Sequence, residues 1–373
     1  MNHQLYEYSL CTALPLMLFF GFYFLLARTP DKTIFANYLR SRRIMGVAML
    51  LLSANYAVHL FCQLRFADSN AAILMNMSTY FLCYWLFSSA LTSLLDRFYI
   101  TRRRFAVHLL LWAVFTVLAG ITLLHIPGGL TQSLSLIMLA IWLFAYGIWL
   151  AIRLIRTYRK AVRFFDDYHS EHIGAYIRWL SIFTWWAVIF GIGCGLLTFL
   201  PDQFIFLWVI SSIPFYIYLY HSYMNYLLFY EKVERVLESS DNDSDADEGL
   251  SLQEEKFIQT PAFHTDIENK LETWIESGTY VQPGISIKDL ADSLNTNRTY
   301  LSAYIKSTYN LSFREWIANL RISYAKDLIL QYPNITITDV SRKSGFMSLS
   351  NFMKTFKDSE GCSPAKWRNI NKD

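Results

Sequence analysis

Few ionisable residues of this chain stand at a spacing that could support chemistry on a metal ion or a substrate. The string DDYHSEH at 166–172 places His169 and His172 beside three carboxylates, which are potential metal ligands. The default interpretation is a solvated loop, with a metal site as the alternative. The sequence contains no H-E-x-x-H, no G-x-x-x-x-G-K-[ST] and no G-x-S-x-G motif. We therefore predict that the chain is not an enzyme and holds no cofactor or metal ion.

The C-terminal third carries a different pattern, with small polar and basic side chains on short amphipathic segments. Apolar spacing predicts helices over 287–294 and 298–309, joined by the turn Asn-Thr-Asn. Asn297 is a favourable N-cap for the second helix. Two short helices joined by a tight turn form a helix-turn-helix, in which the second helix enters the major groove of DNA.

The same arrangement is predicted a second time, over 337–344 and 349–359, with Thr336 as N-cap and Gly345 ending the first of the two helices. Between the two modules, a helix is predicted over 313–331. Its 19 residues span about 28 Å at about 1.5 Å per residue. One turn of DNA is about 34 Å, so a spacer of this length could place both reading helices on one face of the duplex. The predicted apolar face of this spacer, which excludes Arg321, comprises Phe313, Trp316, Ile317, Leu320, Tyr324 and Leu328.

Both modules also carry a family resemblance. An L-S-x-x-[apolar]-K core occurs at Leu301, Ser302, Ile305 and Lys306. G-F, F-x-x-x-F-K and G-x-S-P-x-x-[aromatic]-R elements occur at Gly345, Phe346, Phe352, Phe356, Lys357, Gly361, Ser363, Pro364, Trp367 and Arg368. Over about 264–370 the chain resembles the DNA-binding domain of AraC/XylS family transcription regulators. It departs from the family pattern in three places, with Asn310 for Gly, Ser341 for Ala and Trp367 for Tyr.

The resemblance implies which side chains face DNA. Base contacts in the first module would come from Thr299, Ser302 and Ala303, and in the second from Leu349, Ser350, Asn351 and Lys354. The small side chains of the first module suit contact with thymine methyl groups, whereas Asn351 could pair with adenine and Lys354 with guanine or a phosphate. Candidate phosphate contacts, for each of which the alternative is a solvated surface charge, are Arg298, Lys306, Lys357 and Arg368.

The first 230 residues have a composition unlike that of a water-soluble protein. Charged residues make up 17% of the whole chain and hydrophobic residues 54%, against about 25% charged in soluble proteins. Apolar runs of about 20 residues, the length that spans a bilayer, lie near 8–27, 44–64, 71–95, 105–125, 131–152, 179–200 and 204–229. We therefore predict seven transmembrane helices.

The loops between these runs predict the orientation. Lys and Arg are concentrated in loops 28–43, 96–104 and 153–178. Loop 65–70 contains one Arg, and loop 126–130 contains no Lys or Arg. Because Lys and Arg accumulate on the cytoplasmic side of a membrane, the N-terminus is predicted outside. After seven spans the C-terminus is then cytoplasmic, where bacterial DNA is found.

Polar residues within the runs are costly in lipid. Six of them are Asn55, His59, Asn76, His108, His221 and Asn225. Hydrogen bonding between helices is the first interpretation, and a ligand pocket inside the bundle is the second. The absence of Asp, Glu, Lys and Arg at mid-span depth argues against an ion pump or a transporter of charged substrates.

An acidic connector follows the last run. Residues 231–261 hold 3 Lys/Arg and 10 Asp/Glu. A juxtamembrane helix is predicted over 231–238, and the polar string SSDNDSDADEG at 239–249 is expected to be a disordered tether. An interdomain linker and a site of regulated cleavage both fit this segment.

The sequence as a whole predicts an all-α protein: a seven-helix transmembrane bundle followed by a soluble domain of two helix-turn-helix units. The expected domains are 1–230, the connector 231–261 and the DNA-binding domain 262–373. The predicted function is a membrane-embedded one-component transcription regulator in a bacterial inner membrane. Its partners would be double-stranded DNA, the lipid bilayer, an unidentified signal and a second copy of the chain as a homodimer. Two alternatives are an anchored regulator released by proteolysis and a transporter that reports its own flux.

Overall fold

A computed structural model describes residues 2–170, 174–198, 205–247 and 261–371. The regular structure of the described residues is helical, and these residues form no strand. The chain forms two compact units, Met1–Arg159 with Tyr176–Arg235, and Lys160–Ala175 with Val236–Asp373. The sequence placed 160–175 in a loop of the first domain, but in the structure this segment packs with the C-terminal unit.

Eight helices of the described chain begin before residue 248. They are α1 (Asn2–Leu26), α2 (Ala36–Phe61), α3 (Leu64–Ala67), α4 (Ser69–Ser93), α5 (Arg102–Gly120), α6 (Leu130–Tyr168), α7 (Gly174–Thr198) and α8 (Ile205–Asp247). Five stretches among the described residues, containing α1, α2, α4, α5 and α6, are long and apolar enough to cross a membrane. The apolar part of α7, Tyr176–Phe190, is shorter. The predicted spans 179–200 and 204–229 fall partly outside the described residues.

The outer surface of these helices is apolar. Leu110, Met138 and Ile189 are 64%, 69% and 64% exposed. Inside the N-terminal unit, the ring of Phe81 stacks on Tyr146 at 4.2 Å between centroids and on Phe115 at 4.7 Å, which joins α4, α5 and α6. Apolar residues therefore cover both the inside and the outside, as in helices that face lipid.

The polar residues within the apolar runs form hydrogen bonds. Asn76 Oδ1 accepts from Asn55 Nδ2 at 3.1 Å and lies 2.9 Å from His59 Nε2, which ties α4 to α2. His108 Nδ1 lies 2.8 Å from the Tyr146 hydroxyl, which ties α5 to α6. Hydrogen bonding between helices is thus confirmed for these residues. The pair His221 and Asn225, 2.7 Å apart, lies within α8.

Ion pairs collect at one end of the N-terminal unit. Lys32 in the first basic loop pairs with Glu231 at 2.9 Å, and Arg97 in the third loop pairs with Glu234 at 2.6 Å. Both acidic partners lie on α8, just beyond its apolar part. The first and third loops therefore meet the end of the last apolar segment at a common edge.

Other contacts mark the opposite end. Gln63, between α2 and α3, donates to Glu7 of α1 at 2.8 Å. Asn70, at the start of α4, donates to the Leu123 carbonyl after α5 at 3.1 Å. The second and fourth loops thus lie at the same end of the unit as the N-terminus. A chain that crosses repeatedly between two faces has this arrangement.

The connector is more helical than the sequence indicated. α8 continues to Asp247, through most of the string 239–249 for which disorder was expected. Extending an existing helix adds one backbone hydrogen bond per ordered residue, and residues 239–247 contain neither Gly nor Pro to stop it. The tether expected after this helix falls on 248–260, outside the described residues.

The C-terminal unit is built from short helices. They are α9 (Pro261–Glu276), α10 (Ile287–Ser293), α11 (Arg298–Tyr309), α12 (Phe313–Gln331), α13 (Ile337–Lys343), α14 (Leu349–Glu360) and α15 (Pro364–Ile370). The five helices predicted from apolar spacing agree with α10 to α14 to within one residue at each end.

Side-chain caps define where these helices begin. Asn297 accepts from the Thr299 amide at 2.8 Å, as predicted. Ser312 and Glu315 form a reciprocal capping box at the start of α12. Hydrogen bonds from the backbone and hydroxyl of Ser312 hold the pKa of the Glu315 carboxyl below its usual range. Local sequence therefore determines the helix starts.

The caps also show that the unit is a repeat. The N-caps Asn297 and Ser348 lie 51 positions apart, and so do Ser312 and Ser363. Each half has its own apolar core. The first contains Ile287, Leu290, Leu301, Ile305, Phe313, Trp316 and Ile317 among others, and the second contains Ile322, Ala325, Ile329, Val340, Phe346, Phe352 and Phe356.

The prediction of a single apolar face on α12 was wrong. Its N-terminal half packs in the first core and its C-terminal half in the second, so that Ile322 and Ile329 are buried while Tyr324 is only half-buried. Arg321, expected off the apolar face, is 2% exposed. Its guanidinium donates to the carbonyls of Tyr280 and Gln282 at 2.8 and 2.7 Å. A helix that lies between two cores buries more than one face. A single row of apolar residues at the helical period of 3.6 residues does not predict such burial.

One glycine is required where the two halves meet. Gly345, with φ +83°, ends α13, and a Cβ atom built on it would lie 2.2 Å from the Val281 carbonyl oxygen. Gly361, with φ +72°, ends α14, and a Cβ atom there would meet nothing within 4 Å. Both positions favour glycine by backbone conformation, but only Gly345 does so by close approach as well.

We expect Gly345→Ala to destabilise α13 and α14 by about 3 kcal/mol, because left-handed backbone costs about 1–2 kcal/mol and overpacking about 1–3 kcal/mol. Gly361→Ala, the matched control, should cost about 1–2 kcal/mol for conformation alone. Amide hydrogen exchange of the two helices in the full-length protein measures the difference. Equal acceleration by the two substitutions would contradict this account.

Candidate nucleic-acid interface

The outward face of α14 carries the residues predicted to read bases in the second module. Leu349, Ser350 and Lys354 are exposed, and Asn351 is half-buried. On the opposite face, Phe352 and Phe356 are both fully buried. Ser348 caps the helix by accepting from the Asn351 amide at 3.2 Å. The apolar core thus fixes α14 with its polar face towards solvent.

The corresponding face of α11 is more covered. Thr299, Ser302 and Ala303 lie on one side of the helix at i, i+3 and i+4, and all three are half-buried. Lys306 extends the same face and is exposed. The structure therefore brings four of the five predicted contact residues of the first module together, but with less open surface than in the second.

The four candidate phosphate contacts differ in their surroundings. Lys306 and Lys357 are exposed at equivalent positions, 51 residues apart. The Arg298 guanidinium lies 4.5 Å from the centroid of the Tyr168 ring. Arg368 donates to the Ile335 carbonyl at 2.7 Å, which holds the loop before α13. Lys306 and Lys357 are thus open to solvent, while Arg298 and Arg368 make contacts within the protein.

Sequence reasoning missed a segment that packs beside α11. Asp166, from the end of α6, pairs with Arg314 at 2.6 Å between Oδ1 and Nε. The Ser170 amide donates to the Ile285 carbonyl at 3.1 Å, next to an isolated antiparallel bridge between His169 and Ser286. The string DDYHSEH was interpreted as a solvated loop. Its Asp166 carboxylate is complementary to Arg314 at the start of α12, but no local pattern marks that pairing.

The metal alternative for that string receives no support from the described residues. Glu171 and His172 lie outside them, and within the described ranges no three His, Cys, Asp or Glu side chains are grouped as metal ligands.

The C-terminal unit is similar in sequence to known proteins. Residues 290–370 match the helix-turn-helix domain family. The match spans α11 to α15 completely and takes in most of α10. It therefore includes every residue predicted to touch DNA.

Curated relatives match the same region. The Msm operon regulatory protein of Streptococcus mutans is 30% identical over 119 residues, which is 32% of this chain and 40% of that protein. YobQ of Bacillus subtilis, an uncharacterised helix-turn-helix-type transcriptional regulator, is 35% identical over 23% of this chain and 35% of its own length. The virulence regulon transcriptional activator VirF of Yersinia enterocolitica is 30% identical over 27% of this chain and 36% of its own length. The chain spans well under half of each relative, and no solved structure gives a significant match.

We expect Asn351→Ala to weaken binding to the preferred DNA sequence by about 1–3 kcal/mol and to relax the preference at one base pair, because it removes a base contact. Lys357→Ala should instead weaken binding to all sequences and reduce the salt slope by about 1. Selection from a random DNA pool, followed by titration at several salt concentrations, separates the two effects. Lys270→Ala removes the same charge from α9 and should leave both measurements unchanged. Sequence relaxation by Lys357→Ala would argue against the assignment.

Proposed function

We propose that this protein is a membrane-embedded one-component transcription regulator, in which an N-terminal seven-helix bundle senses a signal and two helix-turn-helix units bind double-stranded DNA. The proposal rests on one observation. A single chain carries five described stretches of spanning length and apolarity together with a match to the helix-turn-helix domain family. A DNA-binding domain joined to such helices acts from the membrane surface unless it is cut free.

Two units of DNA reading are supported by the internal repeat. α10 with α11, and α13 with α14, are pairs of short helices with equivalent caps and separate cores. α12, with 19 residues, is the spacer between them. The named relatives are transcription regulators, and the AraC/XylS resemblance of both modules fits this role.

The orientation is supported by the two ends of the N-terminal unit. The basic first and third loops pair with Glu231 and Glu234 at the end of α8. If this basic end is cytoplasmic, as Lys and Arg content favours, then the helix that continues from it enters the cytoplasm. The bacterial inner membrane is the location proposed, with seven spans and an external N-terminus. Dimerisation through the bundle would raise the local concentration of DNA-reading units without new DNA contacts.

A tagged full-length protein, mapped on the genome of a bacterial host, tests this proposal. We expect discrete binding sites for the wild type and loss of those sites for a Ser350→Ala, Asn351→Ala, Lys354→Ala triple variant. Both proteins should remain in the membrane fraction at equal levels. A reporter fused after residue 103 should show cytoplasmic activity, and a reporter fused after residue 128 should show external activity.

Each part of the proposal fails on a different result. Sites that persist in the triple variant would overturn the assigned reading face. A DNA-bound fragment of about 110–130 residues, with no full-length protein at the sites, would favour release by proteolysis. External activity of the fusion at 103 would overturn the orientation.

A further inference from the structure

The first helix-turn-helix unit, α10 with α11, carries a surface that another part of the same chain already occupies. The segment 165–170, at and after the end of α6, lies against it. Tyr168 packs on the first apolar core, and the Arg298 guanidinium lies 4.5 Å from its ring centroid. The ion pair of Asp166 with Arg314 leaves each side chain only 23% exposed.

The backbone takes part in the same contact. The Ser170 amide donates to the Ile285 carbonyl, directly before Ser286, which is the N-cap of α10. His169 and Ser286 form an antiparallel bridge. A contact made by a ring, a carboxylate and the main chain has a defined register, unlike a chance encounter of surface charges.

The chemistry of the segment resembles that of a DNA backbone. Asp166 gives Arg314 a carboxylate, and arginine binds carboxylate and phosphate oxygens by the same charge-assisted hydrogen bonds. Burial raises the pKa of the neighbouring Asp167 carboxyl, and the charge of Lys306, a candidate phosphate contact, partly offsets that rise. Tyr168 holds Arg298, another candidate. The segment therefore places an aromatic ring against Arg298 of α11 and a carboxylate against Arg314 of α12.

The two predicted reading faces differ in exposure. The contact residues of α11, Thr299, Ser302 and Ala303, are all half-buried. In α14, Leu349, Ser350 and Lys354 are exposed.

We propose that segment 165–170 competes with DNA for the first helix-turn-helix unit, so that the docked protein reads DNA through the second unit alone. This inference rests on the function proposed above and names how that function is regulated. Undocking would free Arg298, a candidate phosphate contact, and would remove the Asp166 carboxylate from Arg314 at the start of α12.

The double variant Asp166→Ala, Tyr168→Ala tests the competition in the full-length protein held in lipid nanodiscs. We expect it to bind the complete site, selected from a random pool with the double variant, about tenfold more tightly than the wild type does, and to bind DNA that keeps only the half-site of the second unit with unchanged affinity. Asp31→Ala, which removes a carboxylate from the first loop, is the matched control and should change neither affinity. Equal affinities of wild type and double variant for the complete site would overturn the competition. Failure of both proteins to bind any DNA would overturn the proposed function as well.

A disulfide gives a second test that does not depend on removing charge. His169→Cys with Ser286→Cys places two thiols across an antiparallel bridge, where Cβ atoms lie close enough to be linked. Oxidation should lower affinity for the complete site at least tenfold, and reduction of the same sample should restore it. The single-cysteine variants control for the native thiols. Unchanged affinity on oxidation, with the disulfide verified by mass, would overturn the proposal.

A separate observation concerns a cavity within the N-terminal unit. It has a volume of about 130 Å³ and is bounded by α2, α4, α6, α7 and α8. Its lining includes Tyr84, Phe87, Phe144, Phe183 and Phe215, and contains no charged residue. None of the six polar residues singled out in the sequence lines it.

One hydroxyl in this cavity has an unused hydrogen bond. Ser88 is 8% exposed, and its Oγ has no hydrogen-bond partner among the described residues. Two other hydroxyls of the lining donate to carbonyls of their own helices, Thr184 to Leu180 at 2.6 Å and Ser212 to Val209 at 2.7 Å. Because a buried hydroxyl without a partner is unfavourable, Ser88 is suited to a polar atom of a ligand.

We infer that this cavity binds a neutral amphiphile with an aliphatic or single-ring body and one hydroxyl or carbonyl group. A charged ligand would lack a counter-charge in the lining. Apolar cavities of about 150 Å³ hold a benzene-sized ligand, which sets the scale of the body. The inference rests on the proposed sensing role of the bundle and names the class of signal.

A diazirine derivative of octanol tests this site on the full-length protein in nanodiscs. We expect saturable labelling of the cavity residues that Ala151→Phe abolishes by filling the space. Ile141→Phe adds the same ring to the same helix at an exposed position and should leave labelling unchanged. Ser88→Ala should weaken competition by octanol about tenfold while leaving competition by octane unaffected.

Labelling that is not saturable and spreads over exposed apolar positions would overturn the site. So would labelling of Ala151→Phe at the wild-type level. The readout involves no DNA, so its failure is distinct from failure of the proposed regulatory function.

Discussion

Exposed apolar surface on the N-terminal helices is the constraint on which the rest of the protein depends. Side chains such as Leu110 and Met138 are more than three-fifths exposed. Each Å² of apolar surface in contact with water costs about 25 cal/mol of free energy. A hydrocarbon surrounding removes that cost, and there each backbone amide must bond within its own helix. In the proposed function, a DNA-binding unit joined to such helices searches for its sites from a surface rather than through the cell volume. The rate of finding a site then depends on which DNA approaches the membrane.

Local signals predicted much of the C-terminal unit. The start of α11 at Arg298 and of α12 at Phe313 follow from their caps, because an N-cap acts within three residues of itself. Contacts between distant residues were not predictable in this way. Arg321 reaches the Tyr280 and Gln282 carbonyls some 40 positions away, and Asp166 meets Arg314 across 148 positions. No spacing within a helix records such pairs, so the two-faced α12 and the covered α11 became visible only in three dimensions.

The two halves of the C-terminal unit keep one scaffold and change its surface. Trp316 and Trp367 occupy equivalent positions, and the caps correspond as well. On the outward faces, however, Ala303 stands where the second half has Lys354. The first half therefore offers shape and methyl groups, while the second offers charge and hydrogen bonds. A repeat of this kind lets one module supply discrimination while the other is free to take on a different partner.

α6 is one uninterrupted helix of 39 residues, and it carries both Phe144 of the cavity lining and Tyr168 of the docked segment. Each residue in an α-helix turns the chain by about 100° and advances it about 1.5 Å. One residue inserted between Leu154 and Phe164 would thus swing Tyr168 by more than a quarter turn relative to Phe144, whereas seven inserted residues would return it nearly to its original direction. Insertions in this helix therefore change the direction of Tyr168 along the helix least when they come in steps close to whole turns.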